Sequence, residues 1–261
     1  MPPRNKRPDL NGVLALRKPL RWSSAKACAR VRSITGGAKV GHAGTLDPLA
    51  TGVLVLCLGR ATKSIHLIQA APKTYTATIN LQHFTTTDDR EGENIPTHGL
   101  DPADFLTDPN QPDRRNRQQR TPPDQQAIAT LIKEHFTGEV RQRPPNFSAV
   151  KVDGQRAYKR ARAGDADINL KHRTVRIDAV EILAYQWPEL ELKINCSKGT
   201  YIRSIARDLG LRLGTGGHLA ALHRNAVGDY TDEHAHDPRE LTAEDIERHL
   251  TPPPLPERID R

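Results

Sequence analysis

The sequence has few cysteines, few aromatic residues and no long apolar run. Cys28, Cys57 and Cys196 are far apart and form no CxxC pair, so we expect reduced core thiols and neither a disulfide framework nor a metal site. Aromatic residues make up 4% of the chain, too few for a sheet that stacks RNA bases on its rings. Without an apolar run of about 18 residues, no membrane span is predicted.

The N-terminal residues 1–10 lack the apolar segment of a signal peptide. They are polar and proline-rich, which predicts a basic disordered tail on a cytoplasmic protein. Lysine and arginine exceed aspartate and glutamate by 39 to 31, giving a formal net charge of +8. This basic excess favours a nucleic-acid partner but does not identify one.

Residues 39–63 are the stretch with the clearest chemical character. A glycine-rich polar loop carries one imidazole, His42, and one carboxylate, Asp47. Pro48 disfavours the α-helical region for Asp47 and so favours an extended backbone there. The loop leads directly into six apolar residues, 53–58, which predict a strand buried on both faces. A reactive side chain would thus be presented from the core of the protein.

The rest of the pattern predicts helices and strands in alternation around this stretch. Residues 84–121 predict a solvated insertion with an acidic first part and an arginine cluster at 114–120. The regular elements that we expect are a helix capped by Ser23 or Ser24, an alternating strand over 73–81, a helix over 125–137, strands over 175–183 and 190–196, a helix over 202–209 closed by Gly210, and a last helix opened by a Thr242–Asp245 capping box.

The 39–63 stretch resembles the signature of the TruB family of tRNA pseudouridine synthases, Gly-His-x-Gly-Thr-Leu-Asp-Pro-x-Ala-x-Gly-Val-Leu. Further matches follow in family order at residues 18–24, 73–75, 144–162, 196–210 and 216–227. The chain departs from the family pattern at Arg21 (usually glycine), Ser23 (threonine), Thr86 (the first aspartate of an acidic run) and His223 (the first arginine of Leu-Arg-Arg).

The resemblance implies an α/β fold of the α+β type, with a largely antiparallel central sheet and flanking helices. The catalytic domain would span residues 11–230, followed by a short helical extension over 231–261. Little chain remains after residue 255, so we expect no C-terminal PUA domain.

The resemblance also implies isomerisation of uridine to pseudouridine at position 55 in the T-loop of tRNA, without a cofactor or metal. Asp47 matches the catalytic carboxylate, Arg203 the arginine that pairs with it, and Tyr75 the tyrosine that stacks on the uracil. The matching substrate-binding residues are His42, which fills the space left by the flipped base, Tyr201 and Leu222 in the pocket, Asp89 in support, and Lys18, Lys151 and Lys198 as phosphate contacts.

Two alternatives remain open on the sequence. The chain could act on another RNA, such as ribosomal RNA or a guided target, or it could be a tRNA-binding folding chaperone without turnover. The expected partner is the T-arm of tRNA, bound by a monomer away from any membrane. Whether Asp47 attacks C1′ of the ribose or assists formation of a glycal is also left open.

Overall fold

The computed structural model describes residues 10–107, 122–165, 168 and 170–254. The predicted disordered tail (all but its last residue) and the 114–120 arginine cluster lie outside these residues. The chain divides into two compact units, the first formed by Met1–Tyr75 with Leu222–Arg261 and the second by Thr76–Ala221. No described helix is long and apolar enough to cross a membrane. The predicted domain bounds stay a prediction.

The first unit contains most of the 39–63 stretch as regular structure. Its elements are β1 (Gly12–Lys18), α1 (Ser24–Ile34), β2 (Val40–His42), β3 (Ala50–Leu58), α2 (Ile65–Ala70), β13 (Tyr230–Thr231) and α6 (Ala243–His249). Strand β3 pairs antiparallel with β1 and β2. As predicted, β3 is buried along almost its whole length. Its alternate side chains pack with those of β1 in a core cluster that includes Val13, Val53, Val55 and Val227.

The second unit is built mainly on a long hairpin. Its elements are β5 (Phe84–Thr85), β6 (Asn94–Ile95), α3 (Gln125–His135), β7 (Gly138–Gln142), β8 (Lys151–Val152), β9 (Gln155–Arg156), α4 (Ala157–Arg162), β10 (Arg173–Gln186), β11 (Glu189–Cys196) and α5 (Ile202–Leu213). Strand β10 pairs antiparallel with β11 on one side and with β7 on the other.

Two strands carry the chain across the boundary between the units: β4 (Lys73–Asn80) and β12 (His218–Val227). Strand β4 alternates buried and half-buried residues, as its sequence predicts. Residues 222–224 of β12 pair in parallel with residues 50–52 of β3, whereas the other pairings named here are antiparallel. The predicted class, a mixed fold with a largely antiparallel sheet and helices, is confirmed.

Two local predictions are wrong. Gly210 does not close α5, which continues to Leu213 and ends at Gly214 in the left-handed conformation (φ 70°). Gly210 is a glycine for another reason, since a β-carbon there would lie 2.3 Å from the carbonyl oxygen of Gly216.

The described part of the 84–121 insertion is also not solvated throughout, although many of its residues between 90 and 104 are exposed. Phe84 and Leu106 are buried and pack with Leu211 of α5. The composition is misleading here. A few apolar side chains are enough to pack this segment against α5 when the neighbouring carboxylates pair with buried arginines.

Candidate active site

The Asp47 loop is fixed to the start of helix α1. The side chain of Ser23 caps this helix by accepting a hydrogen bond from the backbone N–H of Lys26. The hydroxyl of the next residue, buried Ser24, accepts from the N–H of Leu46 at 2.8 Å and donates to its carbonyl at 3.1 Å. Both backbone groups of the residue before Asp47 are therefore satisfied by one side chain of the helix.

The segment between β1 and α1 holds the other side of this loop. The N–H of Arg21 donates to the carbonyl of Pro48 at 2.8 Å. Arg21 adopts a left-handed backbone (φ 65°), which explains why the family pattern has glycine at this position. The ammonium of Lys18 is buried and donates to the carbonyls of Pro19 and Trp22 at 3.0 and 2.7 Å. Because the whole residue is buried, a phosphate could reach Lys18 only if the surrounding segment opened, and the predicted phosphate contact stays a prediction.

A buried arginine closes the loop from strand β12. The guanidinium of Arg224 donates to the carbonyl of Val53 at 2.7 Å and to that of Gly44 at 3.1 Å. Strand β12 approaches β3 so closely that a β-carbon on Gly52 (φ 97°) would lie 2.3 Å from the carbonyl oxygen of Arg224. Two glycines of the signature thus have structural reasons: Gly44 and Gly52 have a positive φ, and Gly52 also lies against β12.

His42, at the end of β2, is half-buried, and its Nδ1 atom is buried without a hydrogen-bond partner among the described residues. Burial, and next the positive charge of Arg224, hold the pKa of this imidazole below its usual range. The ring is therefore neutral at pH 7.

Two further predicted residues of this unit are buried at strand positions. Tyr75 lies near the start of β4, and Leu222 pairs with Ala50. The neighbouring His223, where the family pattern has arginine, lies 2.8 Å from the hydroxyl of Thr51 through Nδ1 and 2.7 Å from a carboxylate oxygen of Asp232 through Nε2. The imidazole thus joins β3 to the segment after β12 without a fixed charge.

In the second unit, Arg203 and Asp89 form a buried ion pair. Their closest atoms, Nη1 and Oδ2, are 3.5 Å apart. The guanidinium also donates to the carbonyls of Thr87 and Phe147 at 3.2 and 3.1 Å. The other carboxylate oxygen of Asp89 accepts from the Thr87 hydroxyl and the Glu91 N–H. Asp89 therefore supports Arg203, although the first aspartate of the family's acidic run is missing.

The next turn of α5 repeats this arrangement with residues that the sequence analysis missed. Arg207 is almost fully buried and donates to Asp88 at 2.7 Å, to Asp208 at 2.9 Å and to the carbonyl of Arg143 at 2.9 Å. Burial raises the pKa of Asp208 to about 6 despite the adjacent guanidinium. The sequence does contain a signal for this pairing: two arginines four residues apart lie on one face of a predicted helix, and an Asp-Asp pair elsewhere in the chain could pair with both.

The remaining predicted residues of this unit differ in exposure. The backbone N–H and carbonyl of Tyr201, the residue before α5, are both bonded to the side-chain amide of Gln142. Its ring lies 5.4 Å from the guanidinium carbon of Arg173. Lys151 and Lys198 are exposed, as phosphate contacts must be. Among the described residues, no group of three or more histidine, cysteine, aspartate or glutamate side chains could hold a metal ion.

Solved structures with a related fold include a Cbf5-Nop10-Gar1 complex. The match has a TM-score of 0.66 and 26% identity, and it covers 92% of this chain and 60% of that one. An archaeal box H/ACA sRNP Nop10-Cbf5 complex matches with a TM-score of 0.60 and 25% identity, over 92% of this chain and 59% of that one. The chain therefore spans about 60% of the length of these structural relatives.

Curated relatives are more similar. The tRNA pseudouridine synthase B of Thermobifida fusca (strain YX) is 43% identical over 242 residues, which are 90% of this chain and 75% of that protein. The protein of the same name from Leifsonia xyli subsp. xyli (strain CTCB07) is 45% identical over 231 residues, covering 87% and 70%. Residues 203–252 match the tRNA pseudouridylate synthase B C-terminal domain. Residues 32–111 and 102–202 match the N-terminal domain of the TruB family pseudouridylate synthases, and the chain belongs to this family.

Proposed function

We propose that this chain isomerises uridine to pseudouridine at position 55 in the T-loop of tRNA, with Asp47 as the nucleophile. The observation that carries the proposal is the Asp47 loop, in which the family signature is held from two sides by Ser24 and Arg224. The name tRNA pseudouridine synthase B, borne by relatives about 43% identical, supports tRNA as the substrate.

The reaction needs one well-placed carboxylate and no change of oxidation state. The bond between ribose C1′ and uracil N1 breaks, the uracil turns, and C1′ bonds to C5. The C5 proton is lost, and N1 ends with a proton. Asp47 supplies the covalent or proton-transfer chemistry by either of two routes: attack on C1′, or assistance to a glycal. We therefore propose no cofactor or metal.

The target base lies inside folded RNA and must be flipped into a pocket. By the family pattern His42 occupies the space that the base leaves, and its half-buried, neutral ring would add no charge there. By the family pattern Tyr75 stacks on the uracil, and Tyr201 and Leu222 line the pocket. Lys151 and Lys198 contact phosphates, whereas Lys18 shapes the loop before α1.

Arg203 completes the catalytic set by the family pattern. Its guanidinium is already bonded to two carbonyls and to Asp89, so its position is set before the substrate binds. A preorganised cation acts in the transition state without a reorganisation cost at that moment. The same reasoning assigns Asp89 to positioning Arg203.

We also propose that the protein works in the cytoplasm as a monomer. Three free, buried cysteines suit a reducing compartment. Size-exclusion chromatography with light scattering tests the monomer.

The first test is pseudouridine formation by the purified protein on an unmodified tRNA transcript. Release of tritium from C5 of uridine measures the rate, and mapping of the product locates the modified position. Product at the T-loop uridine is expected. Product only at another position or only on ribosomal RNA would overturn the proposed substrate.

The Asp47→Asn variant tests the mechanism. It keeps the shape of the side chain and removes the nucleophile, so we expect turnover to fall by at least about four orders of magnitude while tRNA binding persists. Asp229→Asn, an exposed carboxylate in the turn after β12, is the matched control and should retain full activity. An Asp47→Asn enzyme with normal turnover would contradict the mechanism, and a wild type that binds tRNA without turnover would indicate the chaperone.

A further inference from the structure

The second unit contains an open cleft that none of the assignments above uses. Its volume is about 760 Å³. Strand β7 and the residues after it supply Arg141, Arg143 and Asn146, residues before β10 supply Lys171 and His172, and Asp104 comes from the insertion. The lining thus carries three fixed positive charges against one carboxylate.

Arg143 is the innermost cation of this cleft. Its guanidinium stacks at 4.9 Å on the ring of Phe105, and Arg207 stacks at 4.4 Å on the same ring. The side chain of Arg143 donates only to the carbonyl of Ile168 among the described residues, at 3.3 Å, whereas Arg207 takes the carboxylate of Asp88. Burial, and next the charge of Arg207, hold the pKa of Arg143 below its usual range. Asp104, Asp88 and Asp208 offset part of this effect, and an anion in the cleft would offset more of it.

The outer part of the cleft offers further unpaired groups. Arg141 and Lys171 are exposed and have no ion-pair partner in the described part of the chain. One end of the Asn146 side-chain amide is buried without a hydrogen-bond partner there.

The wall of the cleft is preformed. The Nε2 atom of His172 lies 2.9 Å from the carbonyl oxygen of Phe105 and ties the insertion to the segment before β10. The cleft is also too large for a single ion to fill, and its charged lining suits a chain of phosphates joined by polar sugars.

We propose that this cleft binds the sugar-phosphate backbone of the RNA substrate, away from the nucleotide that reacts. The proposal rests on the proposed function, because that function supplies the polyanion. Arg141 and Lys171 contact phosphates at the rim, and Arg143 holds a phosphate deeper inside.

The test is the salt dependence of tRNA binding by the Arg141→Ala/Lys171→Ala double variant of the full chain. A plot of the logarithm of the association constant against the logarithm of the salt concentration has a negative slope. Loss of two phosphate contacts should make this slope less steep by about 1.5 to 2 and weaken binding at low salt by about tenfold or more. The KM for the tRNA transcript should rise with kcat unchanged. Asn146→Asp, which adds a negative charge at similar size, should weaken binding as well.

The matched control is Arg176→Ala/Lys193→Ala, which removes the same charge from two exposed positions on β10 and β11 outside the cleft. Its salt slope should stay closer to that of the wild type. Equal salt slopes for the two double variants would overturn the proposed RNA-binding role of the cleft. So would loss of inorganic phosphate binding in the cleft variant with tRNA binding unchanged, since that result would assign the cleft to a free anion.

Wild-type pseudouridine formation, measured in parallel, separates this proposal from the proposed function. If tRNA binds with a salt slope that depends on the cleft residues but no product forms, the proposed function is wrong and the proposed role of the cleft stands. If product forms but the salt slope does not depend on the cleft residues, the proposed function stands and the proposed role of the cleft is wrong. Absence of RNA binding would overturn both.

Discussion

Arg21 has an unfavourable backbone conformation beside the Asp47 loop. A left-handed conformation costs a non-glycine residue about 1–2 kcal/mol, whereas glycine adopts it freely but makes the unfolded chain more flexible. We expect Arg21→Gly to leave the free energy of unfolding unchanged or to raise it by up to about 1 kcal/mol. Urea unfolding measures the effect. Arg21→Ala keeps the backbone strain and should match the wild type, and an Arg21→Gly protein less stable than Arg21→Ala would contradict the assignment of strain.

At the same scale, the sequence reveals candidate reactive residues but not the residues that hold them in place. His42 and Asp47 stand in one short stretch whose glycines and following strand are visible without a structure. Ser24 and Arg224 are not visible in this way, because the backbone groups they bind are 22 and more than 170 positions away. Local patterns carry no information on such pairings, so the residues that hold the loop emerge only from the fold.

At the scale of elements, helix α5 is anchored by two arginines that each take one carboxylate of the Asp88–Asp89 pair. Arg207 uses the planar fork of its guanidinium for three groups at once, which a lysine ammonium cannot reproduce. We expect Arg207→Lys to lower the free energy of unfolding by about 2–4 kcal/mol, since it leaves buried carboxylates partly unpaired. Arg212→Lys, in the last turn of the same helix, should change it by less than about 0.5 kcal/mol. Equal stabilities of the two variants in urea would contradict the anchoring role.

Helices and strands with regular apolar periodicity are predicted well, as β3, β4 and α3 illustrate. The insertion is not, because its stability comes from contacts distant in sequence. Phe84 packs with Leu211, and Asp88 pairs with Arg207, over separations that composition does not reveal. A charged segment with few apolar residues is solvated only when its charges lack buried partners.

At the scale of the whole molecule, buried titratable groups set the pH dependence of stability. Burial holds the pKa of His42, His218 and His236 below the usual range. Below about pH 7 the unfolded chain therefore binds more protons, and the stability these imidazoles contribute is lost as the pH falls. Asp208, with a pKa raised to about 6, acts in the opposite sense: its contribution is present below its unfolded pKa near 3.8 and lost as the pH rises through 6.

We accordingly expect the free energy of unfolding to rise from pH 6 to pH 7.5, where the imidazoles dominate because most of the Asp208 titration lies lower. Urea unfolding at several pH values measures the slope. His42→Gln and His218→Gln should each flatten it, and the matched control His66→Gln, at an exposed position, should not. A stability that falls over this interval would contradict the assignment.

The division of the chain has a consequence for its synthesis. The second unit is one continuous stretch, whereas the first is formed by both ends of the chain. A ribosome delivers Asp47 early but Arg224, which closes the Asp47 loop, only after the whole second unit has been made. Because domains form as their residues emerge, a nascent or truncated chain ending before β12 lacks the buttress of its reactive loop. We therefore expect a chain that ends before β12 to hold the Asp47 loop less firmly than a chain that includes Arg224.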